Sequence, residues 1–197
     1  MFIFQFFYVI FIIGYFGDVF MAIREKDTTI KYMFHEVNDI TPQVVKELGL
    51  EAIVFDLDNT TVKDATFTTI PGAIAWIKEL KEAGIGVAIV TNTPRIRAYW
   101  FSKTFGVRFH GFARKPLPYG ILRMSRKLGV PVSKIGMVGD QVFTDVAAAN
   151  RCGAVPLLVD PVDNKWFWKN HYKKNRIKEA PIREAFLKEQ GYYGENK

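Results

Sequence analysis

Acidic residues follow two separate apolar runs in this sequence of 197 residues, and their side chains could perform chemistry. Asp56 and Asp58 follow one run, and Asp140 and Asp145 follow another that ends at Val138. Two neighbouring carboxylates repel each other unless a cation or a shared proton relieves the repulsion. Oxygens from Asp56, Asp140 and a backbone carbonyl suit a hard cation such as Mg²⁺, which retains several waters and leaves room for a phosphate oxygen.

Two further groups are suited to binding phosphate. Thr91 and Asn92 offer a hydroxyl and an amide just before a helix that Pro94 opens, and a helix N-terminus with nearby donors is an anion site. Lys115 precedes another helix and can place a positive charge on a phosphate. We therefore predict that Thr91, Asn92 and Lys115 bind phosphate.

The residues from about 41 to 160 must position these groups, because they alternate between patterns of buried strands and amphipathic helices. Strands are predicted at 52–55, 87–90, near 109, 135–138 and 155–159, and helices at 42–48, 71–83, 96–103, 119–128 and 145–151. This alternation predicts an α/β fold with a doubly wound, Rossmann-like parallel sheet. Such sheets bind ligands at the carboxyl ends of their strands, where all four polar groups are predicted to lie.

Each polar group also has an ordinary structural interpretation. An Asp after a strand commonly caps a turn or helix, a Thr there is commonly an N-cap, and a single Lys is commonly solvated. Four such groups at the same edge of one sheet favour a shared functional site.

The same motifs resemble the haloacid dehalogenase superfamily of phosphatases. This resemblance is carried by Asp-x-Asp at 56–58, Thr91, Lys115 and Gly-Asp-Gln-x-x-Thr-Asp at 139–145. The segments DITP, DLDNT, RKP and GDQVFTD resemble, more narrowly, the YqeG family of type IIIA phosphatases, which is related to phosphatidylglycerophosphate phosphatases. The resemblance covers residues 32–161, and we take these as the phosphatase core.

The resemblance implies a role for each of these residues. Asp56 would be the nucleophile that forms an aspartyl phosphate, and Asp58 would be the general acid for the leaving alcohol and then the base for water. Thr91 would bind phosphoryl oxygens, and Lys115 would hold the phosphate and the nucleophile.

The resemblance also implies a magnesium site. Asp56, Asp140 and the backbone carbonyl of Asp58 would bind Mg²⁺, with Asp145 in a supporting role. Thr61 departs from the family, which usually has an apolar residue at this position, and we do not expect it to take part in the chemistry.

Spacing predicts that no cap domain is inserted in this fold. Only 32 residues separate Asp58 from Thr91, and 24 separate Lys115 from Asp140. The predicted helices and strands use most of both intervals. An uncapped site would be open to a phosphate carried by something large, such as a lipid head group.

The composition favours anionic partners. The formal net charge is +7 with a pI of about 9.4, and the single cysteine, Cys152, excludes an internal disulfide and a zinc site made of several thiolates. Residues 1–23 form a hydrophobic segment with two open interpretations: a membrane anchor, or a mis-assigned start upstream of Met21. If the segment inserts, the basic residues after it would leave the core in the cytoplasm.

Residues 162–197 form a basic, aromatic tail that breaks the alternation. Six basic residues and no acidic one occupy 165–178, interleaved with four aromatic residues. This combination is typical of contact with an anionic membrane surface, although a terminal helix with solvated basic residues would have the same composition. The tail contains no recognised nucleic-acid-binding module, so we expect no nucleic acid partner.

These features predict a Mg²⁺-dependent phosphomonoesterase that acts through an aspartyl phosphate. We expect an anionic phospholipid substrate, phosphatidylglycerophosphate, at the cytoplasmic membrane face. A phosphatase of soluble esters is the alternative within enzymes, and a receiver-like phosphoacceptor module is the alternative outside them. Asp58 argues against a receiver, because a second carboxylate near the nucleophile would promote hydrolysis of the phosphoaspartate by water.

Overall fold

A computed structural model of the chain describes residues 23–163 and 170–195, with the side chains of 170–173 left out. The hydrophobic segment predicted at 1–23 therefore lies outside the described residues, apart from Ile23. The described strands are β1 (Tyr32–Phe34), β2 (Ala52–Phe55), β3 (Gly86–Val90), β4 (Arg108–His110), β5 (Ile135–Gly139) and β6 (Val155–Val159). The described α-helices are α1 (Pro42–Glu47), α2 (Ala73–Glu82), α3 (Arg95–Phe105), α4 (Tyr119–Leu128), α5 (Ala147–Cys152) and α6 (Asn170–Gln190).

The six strands form one sheet in the order β1-β6-β5-β2-β3-β4. All neighbouring strands pair in parallel. The chain moves outward from β2 through β3 to β4 and then crosses back to β5 on the other side of β2. This arrangement confirms the predicted doubly wound α/β fold, and its topological switch point lies at the carboxyl ends of β2 and β5.

The sheet is covered on both faces, which explains why its central strands are apolar at every position. All four residues of β2 are fully buried. Phe55 packs against Trp76 of α2 and Phe105 of α3 on one face, while Val54 belongs to a cluster with Met124 of α4 on the other. Because both faces of the sheet are covered, the ends of the central strands have fixed positions. The residues that directly follow these strands are therefore held in place as well.

The connections around the sheet are short. Between β2 and β3 the chain makes a loop with single-residue bridges, Asp58 to Val62 and Val62 to Thr69, followed by α2. Between β4 and β5 it makes α4 and one short 3₁₀ turn. These connections confirm the prediction that no cap domain is inserted between the described strands.

Three elements differ from the predicted pattern, and the first is β1, an edge strand that pairs with β6 and was not predicted. The chain after Gln141 begins with a π-helical stretch, Val142–Val146, before it continues as α5. The C-terminal zone contains the long helix α6, whose Ile182 and Phe186 pack against apolar side chains of β1, β6 and the π-helical stretch. Within the described residues, no helix is both long and apolar enough to span a bilayer.

Candidate active site

Asp56 and Lys115 meet at the carboxyl end of β2. Asp56 directly follows the strand, and its backbone N–H donates to the carbonyl of Val138 on β5. Lys115 Nζ lies 3.1 Å from Asp56 Oδ1, and both side chains are almost completely buried. The ion pair with Lys115 is the contact of Asp56 Oδ1, and the carboxylate oxygens can also take a ligand at this strand end.

Asp145 forms a second buried ion pair with Lys115. Its Oδ1 accepts a hydrogen bond of 2.5 Å from Lys115 Nζ, and its Oδ2 accepts one of 3.1 Å from the backbone N–H of Gln141. The carboxyl group lies against Gly139, where an added Cβ would be 2.2 Å from Asp145 Cγ. Glycine at 139 is therefore required by the close approach of this carboxylate to the end of β5.

Three buried carboxylates form a group that could hold a metal ion. One oxygen from each of Asp56, Asp140 and Asp145 lies within 4.8 Å of the others. Carboxylate oxygens are the ligands that Mg²⁺ and similar hard cations prefer. This set of three carboxylates therefore fits a divalent cation, and Asp145 belongs to the group together with Asp56 and Asp140.

The Asp58 carboxylate lies outside that group. Its Oδ2 accepts hydrogen bonds from Thr93 Oγ1 and, at 2.7 Å, from Arg97 Nη1 on α3. Its Oδ1 accepts from the backbone N–H of Ala65 at 3.0 Å. Asp58 thus sits beside Asp56 with a separate set of partners, and its backbone carbonyl stays only a predicted metal ligand.

The residues predicted to bind phosphate occupy different settings. Thr91 is buried at the end of β3, and its hydroxyl accepts from the backbone N–H of Thr93 and lies within hydrogen-bonding reach of Asp56. The Asn92 amide instead binds the backbone of Lys115, donating to its carbonyl at 3.1 Å and accepting from its N–H at 2.7 Å. This pair of bonds fixes the loop that delivers Lys115.

Two threonines that the sequence analysis did not place in the site also contact it. The Thr60 hydroxyl donates to Asp140 Oδ1 at 3.3 Å. The Thr61 hydroxyl, which we did not expect to take part, donates to the backbone carbonyl of Asp56 at 3.0 Å. Both are buried, so they brace the loop after β2 from inside.

Helix α6 reaches the site through residues that the sequence analysis missed. Arg176 donates to the Asp140 carboxylate and to its backbone carbonyl, and Arg183 donates to the same carbonyl at 2.7 Å. Glu179 is fully buried and accepts from the backbone N–H of Phe143 at 3.1 Å. The aspartate motif at 139–145 gives no sign of these contacts, because the partners come from more than thirty residues later in the chain.

The predicted membrane contact at 165–178 is wrong for Arg176. Its side chain is only 14% exposed and faces Asp140, so it is not a solvated basic residue. Lys174 and Lys178 on the same helix are exposed. Residues 164–169 lie outside the described residues, and that part of the expectation stays a prediction.

Burial governs the electrostatics of the site. It raises the pKa of Asp56 to about 6, while the charge of Lys115 opposes the rise. Burial also raises the pKa of Asp140, although the charge of Arg176 opposes the rise. In the same way it raises the pKa of Asp145, where the charge of Lys115 opposes the rise. Burial disfavours the Lys115 ammonium, yet Asp145 and Asp56 hold the pKa of Lys115 above its usual range. A divalent cation would relieve the repulsion among the three carboxylates.

The comparisons with known proteins agree with this geometry. The family model for haloacid dehalogenase-like hydrolases matches residues 63–153, a range that holds Thr91, Lys115, Asp140 and Asp145. The chain is 38% identical over 136 residues to the protein named probable phosphatase YqeG from Bacillus subtilis, which covers 69% of this chain and 77% of that protein. The chain belongs to the haloacid dehalogenase-like hydrolases and is a phosphatase of that family, with YqeG among its relatives.

More distant matches include the two phosphatases that follow. The chain is 23% identical to phosphatidylglycerophosphate phosphatase 1 from Arabidopsis thaliana over 76% of this chain, and it spans 46% of that enzyme's length. The cobalt-bound deoxy-D-mannose-octulosonate 8-phosphate phosphatase from Haemophilus influenzae aligns with a TM-score of 0.48 and 18% identity, over 66% of this chain and 77% of that one.

Proposed function

We propose that the chain hydrolyses a phosphomonoester of an anionic phospholipid, phosphatidylglycerophosphate, through a phosphorylated Asp56 and with Mg²⁺ as its cation. The observation that carries the proposal is the buried group at the ends of β2 and β5, where Lys115 joins Asp56 to Asp145 beside Asp140. The lipid is suggested by the name of the plant relative and by the short connections around the site.

Asp56 would attack phosphorus with one carboxylate oxygen while the bond from phosphorus to the leaving oxygen breaks. Lys115 would place positive charge beside the nucleophile and the phosphoryl oxygens, and Thr91 would donate a hydroxyl to one of those oxygens. A cation held by Asp56, Asp140 and Asp145 would supply further positive charge to the transferring phosphoryl group.

Asp58 would move the protons. It would give a proton to the leaving alkoxide as the aspartyl phosphate forms and then take a proton from the water that attacks phosphorus. The second step releases inorganic phosphate and restores the Asp56 carboxylate. Thr93 and Arg97 would hold Asp58 in place during both steps.

The test compares phosphate release from phosphatidylglycerophosphate in vesicles with release from a panel of soluble monoesters. The proposal predicts the highest kcat/KM on the lipid, and loss of more than 99% of the rate on every ester for Asp56→Asn. The matched control is Asp39→Asn, because Asp39 caps the backbone N–H of Glu36 and Asn can still accept that bond. A soluble ester preferred over the lipid would refute the substrate, and an active Asp56→Asn variant would refute the nucleophile.

A further inference from the structure

Large apolar side chains are exposed along the outer face of α3, the helix that also holds Asp58 in place. Ile96 is 79% exposed, Tyr99 48% and Trp100 46%, and Lys103 is exposed one turn further on. The spacing of three and four residues puts all of them on one face of the helix. The opposite face of α3 is buried in the core through Ala98, Phe101 and Phe105.

Two loops extend this surface on either side of α3. Phe67, 56% exposed, packs edge-on against Trp100 with ring centroids 5.1 Å apart. Phe112, 44% exposed, joins the start of the helix through a hydrogen bond from its N–H to the carbonyl of Thr93. We call Phe67, Ile96, Tyr99, Trp100 and Phe112 the α3 platform.

The α3 platform borders the site directly. Arg97 lies on the same helix, donates to Asp58 Oδ2 at 2.7 Å and also donates to the carbonyl of Thr66, the residue before Phe67. A surface that receives the platform would therefore be brought next to the proton-transferring carboxylate.

Exposed basic residues lie beside the α3 platform: Arg95 and Lys103 on the helix, Arg108 on β4, and Arg114 stacked on Phe112. Between Glu82 and Asp140 the sequence contains 57 residues with no Asp or Glu, and these residues form β3, β4, α3 and α4. The same stretch contains ten basic residues, of which Lys115 is buried in the site, Arg97 pairs with Asp58 and Lys134 pairs with Glu51. Arg123, Arg126 and Lys127 lie on α4, which packs on the other face of the sheet. Asp58, which is paired with Arg97, and Asp64 are the carboxylates of the neighbouring loop.

We infer that the α3 platform is the docking surface for an anionic lipid bilayer; this rests on the proposed lipid substrate and adds where the bilayer meets the protein. Aromatic and aliphatic side chains enter the head-group region while Lys and Arg attract anionic lipids. The Phe67 ring is already stacked on Phe101 and packed edge-on to Trp100, which suits insertion into lipid better than stacking on nucleic acid bases.

The test measures partitioning of the full chain onto phosphatidylglycerol and phosphatidylcholine vesicles at low and high salt. The variant pair is Ile96→Gln with Lys103→Gln. The matched control is Ile74→Gln with Lys78→Gln, which also removes one exposed aliphatic residue and one exposed lysine from a helix, α2, away from the platform. Every variant keeps the same N-terminal and C-terminal segments, so differences report on the helix faces.

We expect the platform pair to bind phosphatidylglycerol vesicles about tenfold more weakly than the parent and the control pair to stay within about twofold. Hydrogen exchange with vesicles present should slow in residues 65–68 and 94–103 and stay unchanged in α2. Equal binding by the two pairs together with unchanged exchange at α3 would overturn the inference. Loss of binding to single-stranded DNA by the platform pair, with vesicle binding intact, would also overturn it.

Turnover of a soluble monoester separates this inference from the proposed function. Both variant pairs should hydrolyse it at the parent's rate, because neither changes a residue of the site. If the parent hydrolyses the soluble ester and the platform pair still binds vesicles normally, only the docking surface is wrong. If the parent releases no phosphate from any ester, the proposed function itself fails.

Discussion

Asp58 is held by partners on three sides, and this determines what a substitution nearby should do. Arg97 Nη1 and the Thr93 hydroxyl contact one carboxylate oxygen, while the Ala65 N–H contacts the other. A general acid must be positioned before its proton affinity matters. Arg97 is therefore a positioning residue that acts through Asp58.

Arg97→Gln should lower kcat on a soluble monoester by about 10- to 100-fold, because a displaced acid no longer reaches the leaving oxygen. Inorganic phosphate should still bind, since Lys115 and Thr91 are unchanged. Steady-state kinetics and phosphate inhibition measure the two quantities. Arg95→Gln, an exposed neighbour on α3, is the control, and equal rates for the two variants would show that Arg97 does not position the acid.

We expect the contact between His35 and the C-terminal segment to depend on pH. Its Nε2 lies 2.9 Å from Glu195 Oε1, and its ring stacks on Tyr192 with centroids 3.6 Å apart. The hydrogen bond with Glu195 and the charge of Asp160 raise the pKa of His35 above 6.5. The contribution of protonated His35 to the stability of the fold is complete below pH 6.5. It is lost as the pH rises through the folded-state pKa of His35.

NMR titration of the His35 ring should therefore give a pKa above 6.5, and Glu195→Gln should bring it down. Protection factors for hydrogen exchange in residues 191–195, corrected for the intrinsic rise of exchange with pH, should fall as the pH passes the same midpoint. A midpoint at or below 6.5 in the parent would show that the pairing with Glu195 does not persist in solution.

Helix α6 shows where sequence patterns stop being informative about the site. The ends of parallel strands must meet at one edge, so the positions of Asp56, Thr91, Asp140 and Asp145 could be predicted from apolar runs and the polar residues after them. Nothing local relates Arg176 to Asp140, because their contact depends on how a whole helix packs across the sheet. A basic, aromatic composition suits a solvated or membrane-facing segment equally well.

Asn92 illustrates the same limit within a single motif. An amide after a strand and before a helix predicts a phosphate donor, yet its side chain forms two hydrogen bonds with the backbone of Lys115. The identity of a polar residue predicts that it will be bonded, while the choice of partner depends on the loop that lies opposite.

The packing of α6 predicts that Arg176 stabilises the fold. Arg176→Gln would leave the fully buried Asp140 carboxylate with less compensating charge, and losing one partner of a buried pair costs about 3 kcal/mol of unfolding free energy. Lys174→Gln, on the exposed side of the same helix, should change the unfolding free energy by less than about 0.5 kcal/mol. Denaturant unfolding measures both, and equal values would contradict the burial of Arg176.

The molecule as a whole carries its charge unevenly. A stretch of 57 residues without a carboxylate lies between Glu82 and Asp140, whereas the site contains three buried carboxylates. The basic residues of this stretch suit an anionic surface, and the cluster of three carboxylates suits a cation. Lys115 and Arg97 belong to the basic stretch and also to the site, because they pair with Asp56 and Asp58.

A divalent cation should control activity through that cluster. EDTA should abolish phosphate release, and Mg²⁺ should restore it. Ca²⁺ should inhibit, because its higher coordination number favours binding both oxygens of Asp56, which would misalign the attacking oxygen. Phosphate release at graded metal concentrations checks this, and full activity in EDTA would exclude a cation role for Asp140.

The central claim is that Asp56 carries the phosphoryl group, and trapping that intermediate tests it most directly. The full chain and Asp58→Asn are mixed with Mg²⁺ and a ³²P-labelled monoester and quenched in acid, and the label is located by peptide mapping. We expect label on Asp56, and we expect it to accumulate in Asp58→Asn because that variant cannot activate water. Phosphate release without any label on the protein, or label on a residue other than Asp56, would contradict it.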